Sequence, residues 1–346
     1  MSEAARAGYF QTLAEDFGQA WNRFWFSASD PYPLGCIRLA AGLLLLYAHL
    51  TWTYDLTRFF AADGMVNVET AERLRSLQGR VETRQLTPIA FSYLNYAGSP
   101  SQLWTLHGLG LVVIVLFTAG LKTRVTSVLT LLVWLSYYHR APVLAGEMEP
   151  ILSFILFYLC LGPSGAALSV DRWLEIRKER ELLRVQNREN DPIPPHAASW
   201  QATIPLRLMQ IHLSVVFLMM ALAKLSGPNP PAVWWTGDGV WWLLTKPQTR
   251  PFDMTGIAEF GQARLLIDSM THAWVWFELA FGLLVWNQRA RPLMLGLLVV
   301  LWGTLVGLTT GLFVFVLALF TAGLSFYDAG WLRRMAGKVL PQDIAA

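Results

Sequence analysis

Charge is scarce in this chain of 346 residues: Asp, Glu, Lys and Arg make up 15% of it, against roughly 25% in an ordinary soluble domain. With 54% hydrophobic residues, that shortage points to a polytopic membrane protein. Cysteine is nearly absent. Cys36 and Cys160 are the two, and both lie in apolar runs. That excludes a disulfide framework or a cysteine metal cluster, and both read as small core hydrophobes. The net charge of +3 is spread over the connecting segments, which gives no case for a nucleic-acid surface. A Walker loop, GxGxxG, GxSxG and HExxH are all missing. The N-terminus has no short apolar core followed by a small-residue cleavage site, so no cleavable signal peptide is expected.

What is present begins with Phe10, Leu13, Phe17, Trp21, Phe24 and Trp25. Their spacing predicts an amphipathic helix over residues 1–30 lying in a membrane interface, broken by Asp30-Pro31 and Pro33. About 20 apolar residues cross a bilayer as a helix. The candidates are 34–52, 103–121, 124–139, 150–163, 206–226, 272–287, 291–308 and 311–327. The expectation is an all-α bundle of about eight transmembrane helices within 31–330. Residues 167–200, rich in Arg and Glu, form a charged linker, and 331–346 a tail. Sixteen tryptophans, most beside apolar runs, fit interfacial anchors. The Lys and Arg distribution places both termini and the linker on the cytoplasmic side, and the expected location is a bacterial inner membrane. The loops 53–102 and 227–271 and the turns 140–149 and 309–311 then fall outside.

Lys224 ends the apolar run LRLMQIHLSVVFLMMALAKL. A charge at membrane depth costs about 2.5–3.5 kcal/mol on insertion scales, so its presence asks for a reason. It is either a snorkelling lysine or an amine serving as base or Schiff-base nucleophile. The stretch that follows, SGPNPPAVWWTGDGVWW, contains Gly227, Pro228, Trp234, Trp235, Gly237, Gly239, Trp241 and Trp242. It could roof a pocket with aromatic walls. His212 lies twelve residues earlier, about 18 Å away and about 120° out of phase, so it should bond to a neighbouring helix instead. Glu278, inside a span, should face the bundle as counter-ion of Lys224 or of Arg38. His272 sits at the outer boundary. The turn YHRAPVLAGEMEP offers His139, Arg140, Glu147 and Glu149 as a polar cap, without metal-ligand spacing. Trp234, Trp235, Trp241, His139 and Glu147 are thus the candidate substrate-binding residues. Asp55, Asp63 and Glu149 are further groups for a polar substrate.

Four blocks in order resemble one family: DPYPLGCIRLAAGLLLLY with DLTRFFAADGMVN, then YYHRAPVLAGEMEPILSFILFYLCLGPSGAALSVDRWL, then QIHLSVVFLMMALAKLSGPNPPAVWWTGDGVWW, and finally GLFVFVLALFTAGLSF. Together they look like the HTTM domain, the transmembrane module shared with the vitamin K-dependent gamma-carboxylase, over about residues 20–330. The resemblance implies carboxylase- or epoxidase-like chemistry with a reduced, vitamin K-like quinone as cofactor. It implies that Lys224, by its place before the tryptophan–glycine segment, is the catalytic base. The histidine that assists in the family has no counterpart around Glu147–Glu149, nor has the one common before the last span at Thr309-Thr310. Other relatives serve the maturation or export of a secreted peptide. The alternative is therefore a non-enzymatic membrane factor for a peptide or lipid. Membrane lipid, a quinone or a peptide are the expected partners. No inverted halves point to a transporter.

Overall fold

The computed structural model describes residues 3–73, 91–226, 232–246, 256, 261–309 and 311–338. Gly227 and Pro228 of the expected roof, Thr310, and the tail beyond residue 338 lie outside the described residues. So do much of the loops 53–102 and 227–271. Regular structure among the described residues is helical, with one isolated antiparallel bridge between Ser29 and Ser199.

Each expected apolar stretch is a helix. After α1 (Glu3–Phe26) come α2 (Tyr32–Tyr54) and the short α3 (Leu56–Phe60). Then follow α4 (Pro100–Ala119), α5 (Thr123–Arg140), α6 (Met148–Leu161) and α7 (Val170–Val185). The chain continues through α8 (Trp200–Ser226), α9 (Ala232–Trp235), α10 (Gly239–Thr245) and α11 (Gly261–Leu284). It closes with α12 (Arg291–Leu308), α13 (Phe313–Gly323) and α14 (Ala329–Ala336). The boundaries have local causes. The Ser99 side chain accepts from the Gln102 amide and Pro100 occupies the first turn of α4, where a missing N–H costs nothing. Gly120 ends that helix at φ 73°, a left-handed conformation that glycine adopts without strain. In α7 the Ser169 hydroxyl caps the Arg172 amide at 2.9 Å. That helix lies within the expected charged linker.

Among the described residues three helices, α2, α4 and α8, are long and apolar enough to cross a membrane. Met148–Leu161, Arg291–Gly307 and Phe313–Phe326 are apolar but shorter. The expected count of about eight spans is therefore not supported by length and composition. The shortfall has a physical source. α5 carries Thr123, Thr126, Ser127, Thr130, Ser136 and Arg140, and α11 carries Asp268, His272 and Glu278. These polar groups dilute the apolar signal.

The helices pack α8 on α11, α2 on α4, α4 on α5 and α5 on α6, with α6 also on α8 and α13 against α2 and α6. Close approach of α8 and α11 requires Gly282, where a Cβ would come within 2.5 Å of Leu218 Cγ. Fully buried Ile37, Leu45, Phe117, Leu156, Phe217, Phe281 and Leu319 fill the interior. On the outside, Leu43, Leu109, Val112, Leu132, Phe157, Met219, Trp276, Leu283 and Val300 are exposed. Soluble monomers rarely show apolar patches beyond a few hundred Å2, so this surface is compatible with membrane insertion.

The ends are tied down. α1 packs along α8, with the Arg207 guanidinium 4.6 Å over the Phe24 ring. Leu13, Phe17, Trp21 and Phe26 stay exposed, as an apolar stripe along the expected interfacial helix. Arg333 of α14 forms a two-point ion pair with Asp30, at 2.5 and 3.0 Å, which closes the chain's end onto the start of α2.

Candidate functional site

The carboxyl-terminal end of α8 and the middle of α11 bring Lys224 and Glu278 together. The Lys224 amine donates to Glu278 Oε1. Of the two sequence-level partners for Glu278, the structure thus selects Lys224. Arg38, in the second turn of α2, instead donates to the Leu168 carbonyl. The Lys224 side chain keeps 16% exposure and that of Glu278 keeps none, so the pair is approached from the amine. Trp234 covers it, its ring centroid 4.8 Å from Nζ, a cation–π distance. The second carboxylate oxygen, Glu278 Oε2, is buried, and the Trp274 indole one turn earlier on α11 also hydrogen-bonds the carboxylate. Lys224 therefore does not snorkel into headgroup water; it turns inward to a fixed anion.

The segment that carries Trp234 is pinned to α11 by hydrogen bonds. Buried Thr271 donates from its hydroxyl to the Gly237 carbonyl at 2.6 Å and accepts the Val240 amide at 3.1 Å. The His272 ring meets the Trp235 carbonyl at 3.2 Å and the Asp268 carbonyl at 2.8 Å. Trp235 Nε1 donates back to the Leu225 carbonyl at 3.3 Å. Two glycines are required. Gly237 has φ 88°, and at Gly239 a Cβ would fall 2.5 Å from the Trp234 ring. Sequence offered this segment as an aromatic roof but did not show which indole faces the amine. Trp234 does. Trp235 and Trp242 are exposed, and Trp241 packs partly buried against the core.

The polar groups expected to join them are not bonded to the pair. His139 Nδ1 bonds to the Phe91 carbonyl at 3.0 Å. Glu147 is exposed at the start of α6, and buried Glu149 accepts the Gly146 amide at 2.8 Å. Asp55 pairs with Arg58 at 3.6 Å, and Asp63 is exposed. Among the described residues no hydrogen bond or ion pair links any of these to Lys224. His212 behaves as its phase on the helix requires: it bonds Tyr158 Oη on α6 at 3.0 Å and stacks on Phe154. Among the described residues no three of His, Cys, Asp and Glu gather around one ion position.

A second polar cluster escaped the sequence reading. His107 on α4 bonds Tyr137 Oη on α5 at 2.7 Å through Nδ1 and Thr53 on α2 at 2.9 Å through Nε2. His49, fully buried, uses Nδ1 on the Leu45 carbonyl at 3.1 Å. Its Nε2 has no partner among the described residues. Trp52 stacks between Tyr137 and Trp134, at 5.0 and 5.6 Å. Nearby Tyr93 leaves its hydroxyl buried without a partner among the described residues, and burial pushes that hydroxyl well above the usual phenol range. The signal was a lone polar residue in each apolar run. Three such residues mean little until their helices are known to adjoin.

Comparison with known proteins finds no matching family model, no matching curated protein and no matching solved structure.

Proposed function

We propose that this chain is an integral membrane protein carrying quinol-dependent, carboxylase- or epoxidase-like chemistry, with Lys224 as the base. The observation that carries this reading is the Lys224–Glu278 pair under Trp234. In this reading the bundle crosses the membrane about eight times, with both termini cytoplasmic and the Lys224 end outside. A buried ion pair is expensive in desolvation and seldom raises stability over an apolar pair, so its retention with a partly exposed amine favours a chemical use.

The residues suit a reduced quinone. The Trp234 ring provides a flat apolar wall beside the amine, and the partly exposed Lys224 side chain is the group a hydroxyl can reach. When bound, a reduced quinone would supply an acidic phenolic hydroxyl and the electrons for oxygen chemistry. Ion-paired as an ammonium, Lys224 has no lone pair, so it serves as base only after losing a proton to solvent through its partly exposed side chain; the neutral amine then takes the proton from that hydroxyl oxygen. The resulting ammonium is held by the carboxylate already in place, so no reorganisation is needed as charge develops. Glu278 is the positioning residue, and Thr271 and His272 keep Trp234 over the amine and exclude water.

Oxygen uptake by protein reconstituted in vesicles with a reduced quinone tests this. We expect Lys224→Met to lower the rate about 100-fold or more, the usual worth of a general base. Equal rates in wild type and variant would reject the reading. A second reading, a non-enzymatic factor handling a peptide or lipid, draws on the exposed indoles of Trp235 and Trp242. It requires charge alone at position 224, so Lys224→Arg would keep full function.

A further inference from the structure

Away from Lys224, the structure holds a cavity of about 510 Å3 between the turn joining α4 to α5, the loop 162–169 after α6, and α7. Lys122, Arg124 and Lys178 line it, and among the described residues none of the three has an ion-pair partner. The two carboxylates in the lining, Asp171 and Glu175, are both engaged. Asp171 accepts the Lys122 and Thr123 amides, each at 2.8 Å, and the Thr123 hydroxyl at 2.7 Å. Glu175 Oε2 receives Arg172 at 3.4 Å and His196 at 3.0 Å. The cavity therefore presents three cations without an ion-pair partner among the described residues, against the two carboxylates Asp171 and Glu175, whose oxygens are held by other donors.

Its position narrows the ligand. α4 and α6 end here and α5 begins here, so the cavity sits where apolar helices give way to polar loops. Val125 and Leu174, both in the lining, carry exposed apolar side chains at its mouth. Cations grouped around a recess at the end of apolar helices fit an anionic headgroup whose chains run down the bundle. The α5 amino terminus is already capped by Asp171, so recognition rests on the three side chains rather than on the helix end.

We infer that this cavity binds a phosphate-bearing group, either the headgroup of an anionic phospholipid or free phosphate. The test uses the full chain in nanodiscs of phosphatidylcholine with a minor fraction of phosphatidylglycerol, and counts retained lipid by native mass spectrometry. A parallel titration of delipidated protein with inorganic phosphate is read by calorimetry. The variant is K122Q/R124Q/K178Q. The control, R177Q/R184Q/R188Q, removes as much charge from α7 and the residues just after it, outside the lining. Selective retention of phosphatidylglycerol that falls about tenfold in the cavity variant and not in the control supports the site with lipid as source. Saturable phosphate binding with the same dependence supports it with free phosphate as source. Absence of both, or losses equal in the two variants, overturns it.

Discussion

Lys224 and Glu278 satisfy each other in an apolar setting, and the consequence is measurable. Removing one partner strands the other as a buried, uncompensated charge, at about 3–5 kcal/mol. Lys224→Met should therefore lower thermal stability markedly, while Lys224→Met/Glu278→Leu, which removes both charges, should recover most of it. Thermal unfolding in detergent of wild type, both single variants and the double variant gives the coupling; additive losses would show that the two side chains do not act as a pair. In the second cluster, Tyr137→Phe leaves His107 Nδ1 without its 2.7 Å partner. A buried unsatisfied group costs about 1–3 kcal/mol, and the same unfolding assay should show that loss. A variant as stable as wild type would mean that His107 is satisfied without Tyr137.

Between helices, the contact that matters most is that of α8 on α11, since each carries one member of the pair. It depends on Gly282 lying against Leu218. Gly282→Leu forces overpacking worth about 1–3 kcal/mol and moves Glu278 away from Lys224, so oxygen uptake should fall together with stability. Unchanged activity would show that the interhelical spacing is not critical. The clasp from α14 to the start of α2 is independent of that site. Arg333→Ala removes two charge-assisted hydrogen bonds to Asp30 and should cost about 1–2 kcal/mol of stability with little effect on turnover. Much of this arrangement was readable beforehand. Apolar run length alone placed α4 at 103–121, close to the observed Pro100–Ala119, and placed its neighbours in the same way. Lys224 was readable as an expensive charge, and Glu278 as one of its two conceivable partners. The choice between Lys224 and Arg38 was not readable, because helical phase says which residues share a face but not which helices adjoin. The same limit hid His49, His107 and Tyr137, which lie on three helices.

For the molecule as a whole, the exposed apolar belt and the three long apolar helices imply that the protein stays with membranes through an alkaline wash. Topology is separately testable with Cys36 and Cys160 replaced by serine. A cysteine at Lys246 should react with an impermeant thiol reagent on intact cells, and one at Glu179 only after permeabilisation. Reaction of both on intact cells would reject the proposed orientation. In the proposed reading Lys224 is the base of a quinol-dependent reaction. The most direct measurement is turnover of a reduced quinone under oxygen by the reconstituted Lys224→Met/Glu278→Leu protein, once its fold is shown to match wild type. We expect a stable protein with activity at least about 100-fold down. Turnover equal to wild type in that stable variant would contradict a catalytic role for Lys224.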